Sequence, residues 1–176
     1  MVKINYNYIT FYYQTTCDKI TINEKKGVLD CNKYKNSPIF DYYGNEITDW
    51  KYTWDNLEKS GAPSSEWQIN NDSLYLTSLE LKYGLRFDTV YSEKLDLTEE
   101  FNNVANTNKV FANWVNGIHL VNFKIKETQK PKYMIMKISN GVITEKHIIE
   151  EELDFKEMPK NIDPKIKTLI EKYLNC

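Results

Sequence analysis

The side chains that most often carry chemistry are histidine, cysteine and paired carboxylates. This chain holds two histidines, His119 and His147, three cysteines, and 25 acidic residues among 176. A catalytic zinc needs three protein ligands, and a structural zinc takes four from Cys and His. Neither histidine has another His or Cys two to five residues away, and no two cysteines stand at CxxC spacing. No metal and no cofactor is therefore expected. A nucleophilic triad needs Ser or Cys in a constrained turn beside a histidine and an acid. Ser139 precedes Asn140-Gly141 and Cys17 precedes Asp18, but neither lies in a nucleophile-elbow context, so no catalytic residue is assigned. The six glycines are spread singly, which excludes phosphate cradles of the GxGxxG or GxxxxGK type.

Carboxylates remain. Two that converge in a cleft would serve a hydrolase, and sequence does not reveal such pairing. The one dense acidic cluster is Glu150, Glu151 and Glu152 with Asp154 close behind. Like charges so close repel one another, and such a run ordinarily marks the solvated end of an element. Its functional alternative is a patch for a Lys/Arg-rich protein partner, where complementary charge speeds encounter.

Aromatic residues reach 14%, with 13 Tyr, 7 Phe and 4 Trp. Trp67, Tyr75, Phe111 and Trp114 read first as core. In a second reading they line the mouth of a barrel holding a small apolar ligand. Arg86 is the only arginine, and abundant Lys, Asn, Ile and Tyr fit an AT-rich genome as well as any function. Net charge is −2. A nucleic-acid binder shows a basic face rich in Arg, so no nucleic-acid partner is expected.

These residues must be positioned by strands. Ile4 to Tyr13 suits an extended strand rather than a signal peptide, and no run approaches the ~18 apolar residues of a membrane span. A cytoplasmic protein is the expectation, with Cys17 and Cys31 reduced although a hairpin could bring them close. Asp18 to Asn23 reads as a strand, Glu24 to Gly27 as a turn and Val28 to Cys31 as the return. Asn36-Ser37-Pro38 breaks the pattern before Phe40, Tyr42 and Tyr43. Ser60 to Ser65 is a loop by composition. Glu66 to Ile69 and Ser73 to Leu81 form a hairpin across Asn70-Asn71-Asp72. In its second arm Leu74, Leu76, Ser78 and Glu80 share one face, and Tyr75, Thr77, Leu79 and Leu81 the other.

Leu97 to Val104 holds a short helix capped by Thr98. Val110 to Phe123 contains Asn116-Gly117, read as a hairpin turn or as a bulge within one long strand. Tyr133 to Ser139 and Val142 to Ile149 flank Asn140-Gly141, a second Asn-Gly hairpin. Asp163 then caps a helix with Pro164 at its first position, and Ile166, Leu169, Ile170, Tyr173 and Leu174 form one apolar stripe. The expected fold is one mainly-β (α+β) domain over residues 1–176. Its architecture is an antiparallel sandwich or partly open barrel of hairpins with a C-terminal amphipathic helix.

Trp67 to Glu80 (WQINNDSLYLTSLE) and Val110 to Gly117 (VFANWVNG) carry a resemblance. They resemble a family of small uncharacterised bacterial proteins with W-x-I followed by LYL-x-x-L, then VFA-x-W-x-x-G, then a strand before a Gly-Val turn, here Asn140-Gly141-Val142. The family's Gly- and Tyr-containing segment is replaced here by polar Lys124 to Lys132. The resemblance implies a single domain and no established activity.

The function expected from the residues is a non-enzymatic protein-binding module. Its concrete form is an immunity protein neutralising a bacterial toxin. A small-molecule-binding β-barrel and an Asp/Glu hydrolase are the alternatives.

Overall fold

The computed structural model describes residues 18–29, 38–43, 61–84, 90–101, 108–123, 132–150, 153 and 162–175. The expected strand Ile4 to Tyr13, Cys17, Cys31, Cys176, Arg86 and most of the lysine-rich 124–132 segment lie outside them. All nine strands among the described residues belong to one sheet.

Strands β1 (Lys19–Ile22) and β2 (Lys25–Leu29) form a hairpin whose turn is Asn23-Glu24, both at positive φ (46° and 65°). Paired left-handed residues match the twist of the flanking strands. The turn is thus not Glu24 to Gly27 as composition suggested. Gly27 lies inside β2 and serves packing: a Cβ there would stand 2.7 Å from Val121 Cγ1, with the Phe123 ring close behind.

A second correction concerns Gly61 to Ser65. Its loop-like composition hides the first half of β3 (Gly61–Asn70), which pairs with β4 (Ser73–Gly84) along its whole length. Strand β1 joins β3 only at Glu66 to Ile69. Pro63 therefore sits where β3 is paired on one side among the described strands, a place that tolerates a missing N–H. Ser65 is fully buried there: its N–H donates to Asp18 Oδ1 at 3.2 Å, and its hydroxyl accepts from Trp67 Nε1 at 2.7 Å. The turn of this hairpin is Asn71-Asp72, again two residues at positive φ (49° and 57°).

The expected alternation along β4 holds for Leu74 and Leu76 and then slips. Trp67 pairs with Leu76 but Glu66 pairs with Ser78, so Thr77 is an extra residue, and its hydroxyl donates to Glu66 O at 2.9 Å. The bulge moves the inward phase by one, and Leu79 joins Leu74 and Leu76 in one core.

The remaining strands are β5 (Val90–Lys94), β6 (Val110–Phe111), β7 (Gly117–Asn122), β8 (Tyr133–Ser139) and β9 (Val142–Ile149). Seven strands close a ring in the order β3-β1-β2-β7-β8-β9-β4 and back to β3. The fold is mainly β, as expected, and of the sandwich and the partly open barrel read from the sequence it takes the barrel, here closed. Among the described strands one pairing, β1 with β3, is parallel and every other is antiparallel. The free side of β4 meets β9 at Ser73, β6 at Tyr75 and Leu76, and β5 at Glu80 to Gly84.

Asn116-Gly117 is neither a hairpin turn nor a bulge in one strand. Strand β6 pairs with β4 while β7 pairs with β2 and β8, so the segment between them turns a corner. A tight turn with Val115 N–H bonded to Ala112 O makes it. The Asn140-Gly141 hairpin forms as read, with φ of 48° and 76°, and its tip seats on that corner.

Three helices complete the described chain: α1 (Pro38–Tyr43), α2 (Leu97–Glu100) and α3 (Pro164–Asn175). Helix α2 is capped by Asp96, not Thr98; the Asp96 carboxylate accepts from the Thr98 N–H at 2.8 Å. In α3 the Asp163 carboxylate caps Lys165 N–H at 2.7 Å, and Leu169, Ile170 and Tyr173 are buried. The helix lies on β7 and β8, where Leu120, Tyr133, Ile135 and Ile149 form its bed. Strand β8 is consequently buried on both faces, with Met134, Met136 and Ile138 turned into the barrel. Among the described residues no helix is long and apolar enough to cross a membrane.

Candidate functional site

The four aromatic residues singled out in the sequence separate into two pairs on opposite sides of the barrel wall. Trp67 is 1% exposed and points inward, 6.5 Å from the half-buried Trp114 ring. Trp114 donates its indole N–H to Pro38 O at 3.0 Å and stacks on Phe101, while Tyr42 meets it edge-on. This cluster seals the barrel against α1 and α2. Tyr75 and Phe111 instead pack ring to ring at 5.7 Å on the outer wall, where Phe111 is 40% exposed.

The inward side chains of the ring, among them Ile20, Ile22, Leu74, Leu76, Val121 and Met136, meet in one buried cluster. Packing of this kind is what a filled barrel of few strands requires. Of the acidic run, Glu150 alone is described; Glu151, Glu152 and Asp154 lie outside the described residues. Glu150 is exposed and pairs with Lys132 at 2.7 Å; that hydrogen bond and charge hold its carboxyl below the usual range.

The histidines play local parts. His119, 5% exposed, donates its Nε2–H to Asn116 O at 3.1 Å, supporting the corner before β7. His147 donates to Glu145 Oε1 at 2.8 Å on β9. Among the described residues no three His, Cys, Asp or Glu side chains are grouped to hold a metal ion.

The feature that composition did not reveal is an open groove of about 1040 Å³ across the outer faces of β3, β1 and β2. Strand alternation builds it. Ile20, Ile22, Trp67 and Ile69 point into the barrel, so Lys19, Thr21, Glu66 and Gln68 must point out. Register sets Lys26 beside Thr21 and Val28 beside Lys19, and carries the floor to Asn122 on β7. Lys109, just before β6, reaches back to donate to Gln68 Oε1 and forms the opposite wall.

Four lysines, Lys19, Lys25, Lys26 and Lys109, face two glutamates, Glu24 and Glu66. Lys19 is bridged to Glu66 at 3.0 Å, while Lys25 and Lys26 make no ion pair among the described residues. Among the described residues that line the groove, lysines thus outnumber glutamates. Tyr75 and Phe111 stand at its rim, since Tyr75 is the register partner of Gln68.

Alternating Lys-x-Thr and Lys-x-Val pairs in β1 and β2 were a visible sign of an exposed polar face. Their meeting with Gln68 and Lys109 depends on the parallel β1–β3 pairing, which no local pattern encodes. No family model, no curated protein and no solved structure matches the chain.

Proposed function

We propose that the chain is a non-enzymatic protein-binding module that works through the outer wall of its barrel. Its most concrete form is a cytoplasmic immunity protein that blocks the active site of a bacterial toxin. The observation carrying this reading is the groove over β3, β1 and β2. It is broad, open and of mixed polarity, with half-buried Tyr75 and exposed Phe111 packed ring to ring beside it, whereas the inward side chains of the ring pack against one another. Broad outer surfaces of mixed polarity with aromatic anchors suit a protein partner better than a small molecule, which favours a concave apolar pocket.

The test is capture of partners by the full chain from its host lysate, read by native mass spectrometry, followed by cross-linking through the groove lysines. The expected result is a 1:1 protein complex with cross-links at Lys19, Lys26 or Lys109, and protection of cells that express the captured protein. A retained metabolite without protein would favour a small-molecule-binding barrel and overturn the reading. So would failure to hold any protein together with failure to protect.

A further inference from the structure

We propose that Asn116-Gly117 and Asn140-Gly141 are self-modification sites held shut by one contact, the seat of the β8–β9 tip on the corner before β7, so that modification at either releases the other. The inference goes beyond the protein-binding reading and does not depend on it.

The chemistry asks only for water. The glycine nitrogen gives up its proton and attacks Cγ of the asparagine before it. The bond from Cγ to the side-chain nitrogen breaks, a proton returns to that nitrogen, and ammonia leaves. Water then opens the five-membered imide at either carbonyl, giving aspartate or isoaspartate with one new negative charge. Nothing is oxidised or reduced. Glycine lets the ring close because it carries no Cβ to obstruct the approach. Two groups must come free together, the asparagine side-chain amide and the glycine N–H.

At Asn140-Gly141 the fold withholds the nucleophile. Gly141 is buried, its N–H donates to Val115 O at 2.9 Å, and its carbonyl accepts from Leu74 N–H at 2.8 Å. A Cβ on it would lie 2.5 Å from Ala112 O, so this peptide has no room to swing. Asn140 itself is exposed. At Asn116-Gly117 the fold withholds the side chain. Asn116 Nδ2 donates to Trp114 O at 3.1 Å, and Oδ1 accepts from Asn140 N–H at 2.8 Å. Gly117 begins β7, is exposed, and has nothing within 4 Å of a Cβ placed on it, which leaves space for the ring. His119 favours the attack here. Its Nε2–H donates to Asn116 O at 3.1 Å and draws electron density from the peptide whose nitrogen must lose a proton.

The two locks are one. The N–H groups of Asn140 and Gly141 are neighbouring donors on the same tip, and they occupy Asn116 Oδ1 and Val115 O on the same corner. Lifting the tip frees the Asn116 amide and the Gly141 nitrogen in a single movement. Local openings of this kind need less free energy than global unfolding. Isoaspartate at position 116 lengthens the backbone by one methylene and removes Nδ2, so the corner loses its hold on Trp114 O and on the tip. Isoaspartate at position 140 lengthens the tip itself. The seat also lies behind Phe111, whose ring is 3.1 Å from a Cβ on Gly141, so the change reaches the outer aromatic pair.

The experiment incubates the full chain, folded and urea-unfolded, in heavy-oxygen water at neutral pH. Mass spectrometry of peptides gives the rate at each site, and fragmentation of the intact chain counts molecules marked at both. The folded chain is expected to react at least about tenfold more slowly than the unfolded one at both sites, because several hydrogen bonds must open first. Doubly marked molecules should exceed the product of the two single frequencies. Asn116→Ala removes the acceptor of the Asn140 N–H and should speed modification of Asn140 several-fold. Val115→Ala loosens the corner and should speed both sites. Ile170→Ala weakens the distant bed of α3, leaves the seat intact and should speed neither; circular dichroism confirms that each variant is folded.

Equal rates in the folded and unfolded chain, independent marking of the two sites, or an Asn140 rate unmoved by Asn116→Ala overturns the proposal. So does Ile170→Ala acting as strongly as Val115→Ala, since global unfolding and not the seat would then control the chemistry.

Discussion

Replacing Gly141 by alanine tests how the barrel closes and what holds the aromatic rim in place. Gly141 has φ of +76°, and a Cβ on it would lie 2.5 Å from Ala112 O and 3.1 Å from Phe111 Cε2. Ordinary carbon–oxygen contacts are about 3.3–3.6 Å, so the Ala112 carbonyl would have to retreat by roughly 0.8 Å. Three backbone hydrogen bonds converge there: Gly141 N–H to Val115 O at 2.9 Å, Leu74 N–H to Gly141 O at 2.8 Å and Ala112 N–H to Leu74 O at 3.0 Å. Left-handed strain costs about 1–2 kcal/mol for a non-glycine residue, and each loosened hydrogen bond about 1 kcal/mol. A total of about 4–5 kcal/mol follows.

Gly117 supplies the control. Its φ is +104°, yet nothing lies within 4 Å of a Cβ placed there. Gly117→Ala should therefore carry strain alone, about 1–2 kcal/mol. For a domain of this size 1 kcal/mol moves the melting temperature by about 2–4 °C, so losses of about 10 °C and about 4 °C are expected for the two variants. Urea unfolding monitored by tryptophan fluorescence gives the free energies directly. If Gly141→Ala costs no more than Gly117→Ala, the seating of the β8–β9 tip on the Ala112 corner is wrong, and with it the support of Phe111 from behind.

Ile170→Ala should lose about 2–5 kcal/mol because the side chain is fully buried beneath α3, whereas exposed Lys172→Ala should stay within about 0.5 kcal/mol in the same melt. Ser65→Ala leaves the buried Trp67 indole N–H without its 2.7 Å acceptor and should cost about 1–3 kcal/mol in chemical denaturation. Gly27→Ala sets a methyl group against Val121 and Phe123; overpacking of about 1–3 kcal/mol is expected, read as a lowered urea midpoint. The hydrogen bond from His147, ahead of the charges of His147 and nearby lysines, holds Glu145 below the ordinary carboxyl range, against a smaller opposing effect of burial. With the folded-state value depressed, the stabilisation is present above the unfolded carboxyl range and is lost as pH falls through the folded value. His147→Leu should move the Glu145 carbon-detected NMR titration upward, and an unmoved midpoint would remove His147 as the cause.

Local chemistry made several elements readable. Asn140-Gly141 and the Asn71-Asp72 turn announce themselves because those residues accept left-handed backbone at little cost, and the Asp163-Pro164 start of α3 follows from capping and a fixed proline φ. The stripe from Ile166 to Leu174 needed a partner, and α3 found it on β7 and β8. Where local preference and tertiary demand diverged, the sequence misled. Glu24 takes a left-handed conformation that glutamate does not favour, so Gly27 drew the turn toward itself although its role is to leave room for Val121. Gly61 to Ser65 has loop composition, but pairing with Leu79 to Tyr83 makes it strand.

The sequence by itself determined a β-rich chain of hairpins and an amphipathic terminal helix. Only the tertiary structure decided that β1 lies parallel to β3, that Thr77 shifts the phase of β4, and that the ring closes at Ser73 and Val142. It also placed Trp67 and Tyr75 on opposite sides of one wall, and joined Lys26 to Lys109 across a groove. The reason is the reach of the interactions. Turns and caps are specified by residues a few positions apart, whereas strand neighbours are selected by burying the apolar faces of segments far apart in the chain. A surface assembled from five strands therefore exists only once those faces have met.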